Sequence, residues 1–332
     1  MRDELTSPYL LYGMPASLYT AKARSYLRKR GVGHVELAAG DPRYTDRVMP
    51  AIGRWIIPVL ETPSGDLIQD TTEIVDHLEE HLPEPPGVYP ETPLQRCVAH
   101  VLELFGGEGL LRPAMHYRWD FDEANLAFLA HDFGLALAPG GGAEERRRAF
   151  EGAEALMRRA TRSVGVTAET AAIVEESYEE FLRLLDSHLA TAPYLLGGRP
   201  TIADLGFIGP LHAHLARDPY PSALMKRMAG NVWRWVERMN APVDDTGEYL
   251  DLSPALFSDD SVSRSYVTCS PSSGPSSCRR WVALAAIAVS PAGAKPKPAF
   301  RPGLYVGKTS QGEAVKLKVV GCGKSQCLED PD

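Results

Sequence analysis

Apolar and polar positions divide the chain into three parts. Residues 9–12 are a short apolar run that predicts a strand. Residues 18–30 follow at helical spacing, with Tyr19, Ala23, Tyr26 and Leu27 on one face. Gly31 ends that helix, and Lys29 and Arg30 lie in its last turn, where positive charge suits the helix dipole. Residues 34–38 predict a second strand. Residues 56–60 form a β-branched run interrupted by Pro58, which a strand admits only at an edge, bulge or bend. Pro63, Ser64, Gly65 and Asp66 form a turn cluster, and Leu67 and Ile68 a further short strand. Asp70 or Thr71 then caps a helix whose apolar positions Ile74, Val75, Leu78 and Leu82 recur at helical spacing.

A proline-rich stretch, 84–93, has the composition of a semi-rigid linker. From residue 94 to about 240 the pattern is helical. Cys97, Val101, Leu104 and Phe105 mark one helix, and residues 128–137 another. Val174, Tyr178, Phe181, Leu182, Leu185 and Leu189 form an amphipathic stripe, and Met225, Met228, Val232, Trp235 and Met239 one more. Residues 139–142, a proline and three glycines, predict a loop. Thr201 and Asp204 have the spacing of a reciprocal helix cap and read as structural. Beyond residue 242 the periodicity fails. Residues 258–278 hold nine serines and predict disorder. Residues 290–327 hold seven basic residues and one acidic one, and residues 304–308 and 314–320 are expected to pair as a hairpin.

The strand–helix–strand unit, the Pro58 strand, the hairpin and the Asp70-Thr71 helix together resemble the thioredoxin-like domain of glutathione transferases. The stretch Ser17-Leu-Tyr-Thr-Ala-Lys-Ala-Arg24 is similar to that family's Ser-Pro-Phe-Ser-x-Lys-Val-Arg segment. His116-Tyr-Arg-Trp119 and the segment beginning at Arg217-Asp-Pro also resemble bacterial members. The resemblance covers residues 8–242. It implies an α/β thioredoxin-like domain at 8–83, a linker at 84–93, an all-helical domain at 94–242 and an atypical tail at 243–332. It further implies glutathione as co-substrate, a small-molecule electrophile, a detoxifying conjugation, a cis proline at 58 and a homodimer.

The side chains at these positions suit that chemistry. Glutathione offers an ammonium, which needs an anion such as Asp70, and a γ-glutamyl carboxylate, which suits Thr71 and the amides of a helix start. Ile57, before Pro58, offers backbone groups to an extended peptide. Arg54 is the nearest basic residue for the glycine carboxylate. A thiol becomes a nucleophile as the thiolate, which a helix N-terminus and a hydroxyl donor favour. Ser17 is the candidate donor and Tyr12 its rival, with Tyr19 and Thr20 as further neighbouring hydroxyls. Each has a plainer reading: Ser17 and Asp70-Thr71 as simple helix caps, Arg54 as a solvated side chain. Trp119, Tyr117, Phe105 and Met115 read as core or as the lining of an electrophile pocket.

Charge and cysteine usage narrow the classes. A net charge of -8 argues against nucleic acid and anionic membrane as partners. The longest late apolar run, 281–289, is too short to span a bilayer, and the first residues lack a signal-peptide core. The expected setting is cytoplasmic. Four of the five cysteines lie beyond residue 260; Cys322 and Cys327 have no second pair near them, and no metal site or phosphate loop is expected. Two other functions remain open: a non-catalytic, metaxin-like scaffold on the same fold, and a glutathione-dependent reductase, against which stands the absence of a cysteine near Ser17.

Overall fold

The structure is a computed structural model that describes residues 8–82, 87–242, 247–249, 253–262, 303–308, 314–322 and 325–329. Strand β1 (Tyr9–Gly13) leads through a loop to helix α1 (Leu18–Lys29) and parallel strand β2 (His34–Ala38). A π-helical turn (Tyr44–Val48) runs into α2 (Met49–Ile52). Strands β3 (Val59–Glu61) and β4 (Leu67–Gln69) form an antiparallel hairpin, and α3 (Thr71–His81) follows. The sheet order is β2-β1-β3-β4. The third strand is shorter than the expected 56–60: proline has no N–H for the ladder, and pairing with β1 starts at Val59. The peptide bond Ile57–Pro58 is cis.

Alternation along β1 sorts its side chains by face. Leu11 packs with Ala23, Leu27, Ile74 and Val75 of α1 and α3. Tyr12 packs on the other face with Leu37, Tyr44, Val48 and Val59.

The helical domain comprises α4 (Pro93–Leu104), a π-helical turn (Phe105–Gly109), α5 (Leu111–Trp119), α6 (Asp122–Leu137), α7 (Ala143–Ser163), α8 (Ala171–Leu189), α9 (Ile202–Pro210), a π-helical turn (Leu211–Leu215), α10 (Pro219–Met228) and α11 (Gly230–Asn240). Every residue of α9 is buried, and its Phe207 and Ile208 share one core with Leu11, Tyr26 and Ile74 of the first domain. Bonds also cross between the domains: Lys22 pairs with Glu103 at 2.5 Å, and the Ser25 hydroxyl donates to the Met239 carbonyl at 2.8 Å.

Helices α6 and α7 form an antiparallel hairpin that leans on the first domain. The Gly40 amide donates to the Ala136 carbonyl at 2.9 Å. A Cβ at Gly40 would lie 2.0 Å from the Leu137 carbonyl oxygen, closer than any side chain can approach.

Three expectations need correction. The buried face of α4 is Gln95, Val98, Ala99 and Leu102, so Cys97 is exposed and Val101 and Leu104 half-buried. The methionine stripe from 225 to 239 belongs to two helices, because Ala229 breaks the run at φ -145, ψ 68. The packed body also continues past residue 242. Leu256 bridges Gly197, the Phe257 amide donates to the Leu196 carbonyl at 2.8 Å, and Val262 of α12 (Asp259–Val262) is fully buried. Farther along, β5 (Gly303–Lys308), β6 (Ala314–Cys322) and β7 (Ser325–Glu329) form an antiparallel sheet, the expected hairpin plus one strand. Most of the serine-rich stretch lies outside the described residues.

Candidate functional site

Asp70 is the one residue other than glycine with positive φ among the described residues, at φ 69, ψ 141. Such a conformation costs on the order of 1–3 kcal/mol and persists where the surroundings impose it, often at ligand sites. Asp70 caps α3: its Oδ1 accepts from the Thr72 amide at 2.8 Å. Its side chain is half-buried, and its second oxygen makes no hydrogen bond among the described residues. The amides of Thr71 and Glu73, in the first turn, have no hydrogen-bond partner among the described residues. A helix start with open amides is an anion site in waiting. The Thr71 hydroxyl is not part of that opening. It is buried and donates to the Tyr19 carbonyl at 3.2 Å, tying α3 to the first turn of α1.

Ser17 caps α1, with its Oγ accepting from the Thr20 amide at 3.2 Å. The bond uses a lone pair and leaves the hydroxyl proton to donate elsewhere. Ile57 packs against two buried clusters, one holding Met14 and Ala16 of the loop that precedes Ser17, the other holding Tyr12 and Val59. Its backbone N–H and C=O make no hydrogen bond among the described residues. Arg54 donates from Nε and Nη2 to the Gln69 side-chain oxygen, at 3.2 and 3.1 Å, next to Asp70 in sequence. These contacts, with the chain itself, outline a ring: Arg54 to Gln69, Thr71 to Tyr19, Ser17 beside Ala16, and Ile57, ahead of Pro58, on the cluster that holds Ala16. All the residues expected for glutathione, and Ser17 with them, lie on it.

Tyr12 lies outside the ring. Its ring sits on the sheet face opposite α1, and its hydroxyl donates to Glu61 at 2.7 Å and accepts from Arg47 at 3.2 Å. Burial, with the Glu61 carboxylate beside it, raises its pKa.

Of the aromatic and sulfur side chains expected around an electrophile, Met115 and Trp119 share one buried cluster with Met14, Ala16, Leu129, Phe133 and Phe150. The Trp119 indole N–H is buried there without an acceptor. Phe105 and Tyr117 belong to the main core instead. A cleft of about 360 Å³ lined by Glu108, Gly109, Leu111, Arg112, Ser163, Val164 and Gly165 touches none of the ring residues.

Sequence reading missed one group at this site. Arg118, buried in α5, spends all five N–H donors. Nε goes to Asp218 Oδ2 at 2.7 Å, and Nη2 to Asp218 Oδ1 at 3.0 Å and the Ala213 carbonyl at 2.5 Å. Nη1 goes to His214 Nε2 at 2.9 Å and the Ala16 carbonyl at 2.8 Å. An arginine can only donate, so His214 accepts at Nε2 and donates from Nδ1 to the Ala114 carbonyl at 3.1 Å. Burial, with Arg118 beside it, holds the His214 ring well below its ordinary pKa. The one sequence signal was an arginine set among aromatics at 116–119, where a solvated side chain is the usual reading.

Comparison with known proteins agrees with this architecture. Residues 11–86 match the family glutathione S-transferase, N-terminal domain, and residues 144–238 match glutathione S-transferase, C-terminal domain. No curated protein sequence matches the chain. The glutathione transferase GSTFuA3 from Phanerochaete chrysosporium is similar in fold, at TM-score 0.51 and 17% identity over 71% of this chain and 98% of that one. The beta-etherase LigF from Sphingobium sp. strain SYK-6 aligns at TM-score 0.49 and 17% identity, over 71% and 96%. A glutathione S-transferase from Methylobacterium radiotolerans, solved with glutathione sulfonate, aligns at 0.42 and 19%, over 74% and 98%. With two domain families matched in order across half of its length, on a thioredoxin-like sheet followed by a helical domain, the chain belongs to the glutathione S-transferase superfamily.

Proposed function

We propose that the protein binds glutathione on its first domain and transfers the thiolate to a small electrophile. The observation that carries this reading is Asp70, held at positive φ beside the open first-turn amides of α3. In the proposed pose the Asp70 carboxylate faces the ammonium of glutathione. The Thr71 and Glu73 amides receive the γ-glutamyl carboxylate. Ile57, ahead of Pro58, pairs with the peptide backbone, and Arg54 turns from Gln69 toward the glycine carboxylate. That directs the sulfur to the start of α1. There the Ser17 hydroxyl donates to the thiolate, and the helix dipole lowers the thiol pKa. The electrophile approaches past half-buried Ile57, which packs on the buried apolar cluster of Met14, Met115 and Trp119. A cytoplasmic homodimer goes with this reading; among the described residues, no helix is long and apolar enough to cross a membrane.

Calorimetric titration with glutathione tests the binding half. The absence of any binding in the full-length chain would sink the reading and leave the scaffold function standing. Ser17→Ala tests the chemistry. It should raise the pKa of the bound thiol by about one pH unit, about 1.4 kcal/mol, with affinity nearly unchanged. Thiolate absorbance against pH reads this directly. If Tyr12→Phe produces the effect and Ser17→Ala does not, the donor role passes to Tyr12.

A further inference from the structure

We infer that Arg118 is a positioning residue for the thiol site: it reaches from the helical domain to the Ala16 carbonyl and fixes the loop that presents Ser17. The inference rests on the glutathione reading for its catalytic consequence, and on geometry alone for the loop.

The loop has few holds of its own. Between β1 and α1, the Ser17 amide donates to Met14 O at 3.1 Å, Arg24 reaches the same carbonyl at 3.4 Å, and the Met14 amide donates to Thr20 Oγ1 at 3.5 Å. The carbonyl of Ala16, directly before Ser17, receives Arg118 Nη1 at 2.8 Å. That bond sets the peptide plane joining Ala16 to Ser17. It thereby sets the direction of the Ser17 side chain and of the first amides of α1.

The geometry around Arg118 is built to hold its aim. The side chain is 2% exposed and Asp218 0%. Asp218 stands at the N-cap position of α10 yet makes no side-chain cap there; both of its oxygens face Arg118. A cap residue that leaves its own helix uncapped has been committed to another task. Four of the five donors are anchored within the helical domain, on Asp218, His214 and Ala213. A planar fork pinned at four points has no freedom left at the fifth. The fifth is the Ala16 carbonyl, so the helical domain dictates where the first domain's cap residue stands.

The test uses the full-length chain and the double variant Arg118→Met/Asp218→Leu. It removes both buried charges together, so neither is left unpaired, and replacing such pairs by apolar groups often leaves stability intact. The first readout is amide hydrogen exchange. The Ser17 and Thr20 amides should exchange about tenfold faster in the variant while the amides of α3 stay unchanged. The second is kinetic. The value of kcat should fall roughly ten- to a hundredfold, as a misplaced reacting group requires, with KM for glutathione unchanged because the α3 site is untouched. A folded variant whose Ser17 and Thr20 amides exchange at the wild-type rate overturns the inference. So does a loosened loop with unaltered kcat in an enzyme that turns over. If the wild type binds no glutathione, the proposed function falls, and the exchange measurement still decides the role of Arg118. Should the double variant not fold, Arg118→Lys keeps a charge against Asp218, gives up the fork, and is read by the same exchange.

Discussion

Two helices of this protein begin with an aspartate and a threonine, and their N-termini are put to opposite uses. At the start of α9, Asp204 is fully buried and saturated. Its Oδ1 accepts from the Leu195 amide at 2.9 Å and the Trp235 indole at 3.4 Å; its Oδ2 accepts from the Thr201 amide at 2.9 Å and the Thr201 hydroxyl at 3.1 Å. At the start of α3, Asp70 accepts one amide, is half-buried, and sits in a conformation that favours glycine. Both look alike as sequence signals. A cap whose carboxylate oxygens are both spent holds the fold together. A cap with spare donors, an unspent oxygen and a strained backbone is the one to which the proposed function assigns a ligand.

The sharpest way to break this contrast is Asp204→Ala. Four donors lose their acceptor at once, at about 1 kcal/mol or more each, so stability should fall by on the order of 4 kcal/mol. Thermal unfolding measures it, and a loss below about 1 kcal/mol would mean that the closed cap carries little load.

Acid should also act on the closed side. Burial lowers the pKa of His188, His212 and His214, with His212 pushed down to about 3. The unfolded chain takes up protons on these rings near pH 6.5 while the folded one does not. Their stabilisation is therefore complete above pH 6.5 and is lost as pH falls below it. Asp204, pushed by burial up to about 6, works the other way. The folded state holds its proton where the unfolded state has lost it, so its contribution declines as pH rises from about 4 to 6. Asp218, raised by burial, acts in the same direction as Asp204; with three rings against these two carboxyls, stability should fall between pH 6.5 and 5. Unfolding midpoints against pH would show this; a midpoint that rises on acidification would contradict it.

On the open side, Asp70→Gly should separate fold from function. Glycine accepts φ 69 without strain, and as a cap it costs only a few tenths of a kcal/mol, so stability should hold or rise. Glutathione affinity should fall by about 1.5–3 kcal/mol, the worth of a hydrogen bond to a charged group. Destabilisation with full affinity would assign Asp70 to the fold alone. Thr71→Ala should weaken affinity less than Asp70→Gly does, because the Thr71 hydroxyl already serves Tyr19.

The smallest effect concerns the tail. A chain ending at residue 262 should keep its unfolding midpoint and its glutathione affinity. An end at 256 cuts through the segment that pairs with Leu196 and Gly198 ahead of the Asp204 cap, removing Phe257 and the buried Val262. Denaturation of the two truncated chains, compared with the full length, decides where the packed body stops.

Much of the first domain was readable in advance because its signals are local. A short apolar run marks β1, Gly31 ends α1, and the Asp70-Thr71 pair starts α3. The helical domain was harder wherever the stripe that betrays a helix is missing. Residues 113–119 of α5 are all buried, so no polar face sets a phase. In α7, Phe150 and Thr161 are the buried residues, and Arg147 pairs with Glu144 along an exposed face. The ring residues Ser17, Ile57, Pro58, Asp70 and Thr71 could be named from motif spacing. What spacing could not show is direction. That Thr71 turns inward, that Tyr12 faces Glu61 across the sheet, and that Arg118 reaches Ala16 over 102 positions are facts of tertiary packing.

Gly40 bears on how far the two domains of such a protein are interchangeable. The hairpin of α6 and α7 rests on the first domain at a spot where any side chain would collide with the Leu137 carbonyl. Part of the compatibility between the halves is thus written into one backbone position, far in sequence from the helices it admits. A hybrid that joins this helical half to a relative's first domain inherits the fit only if that relative also has glycine there. In the reverse hybrid the demand falls on the position of Gly209 in α9, where a Cβ would lie 2.8 Å from the Leu18 carbonyl oxygen. Exchange of halves among relatives therefore asks for glycine at one of these two positions in either direction.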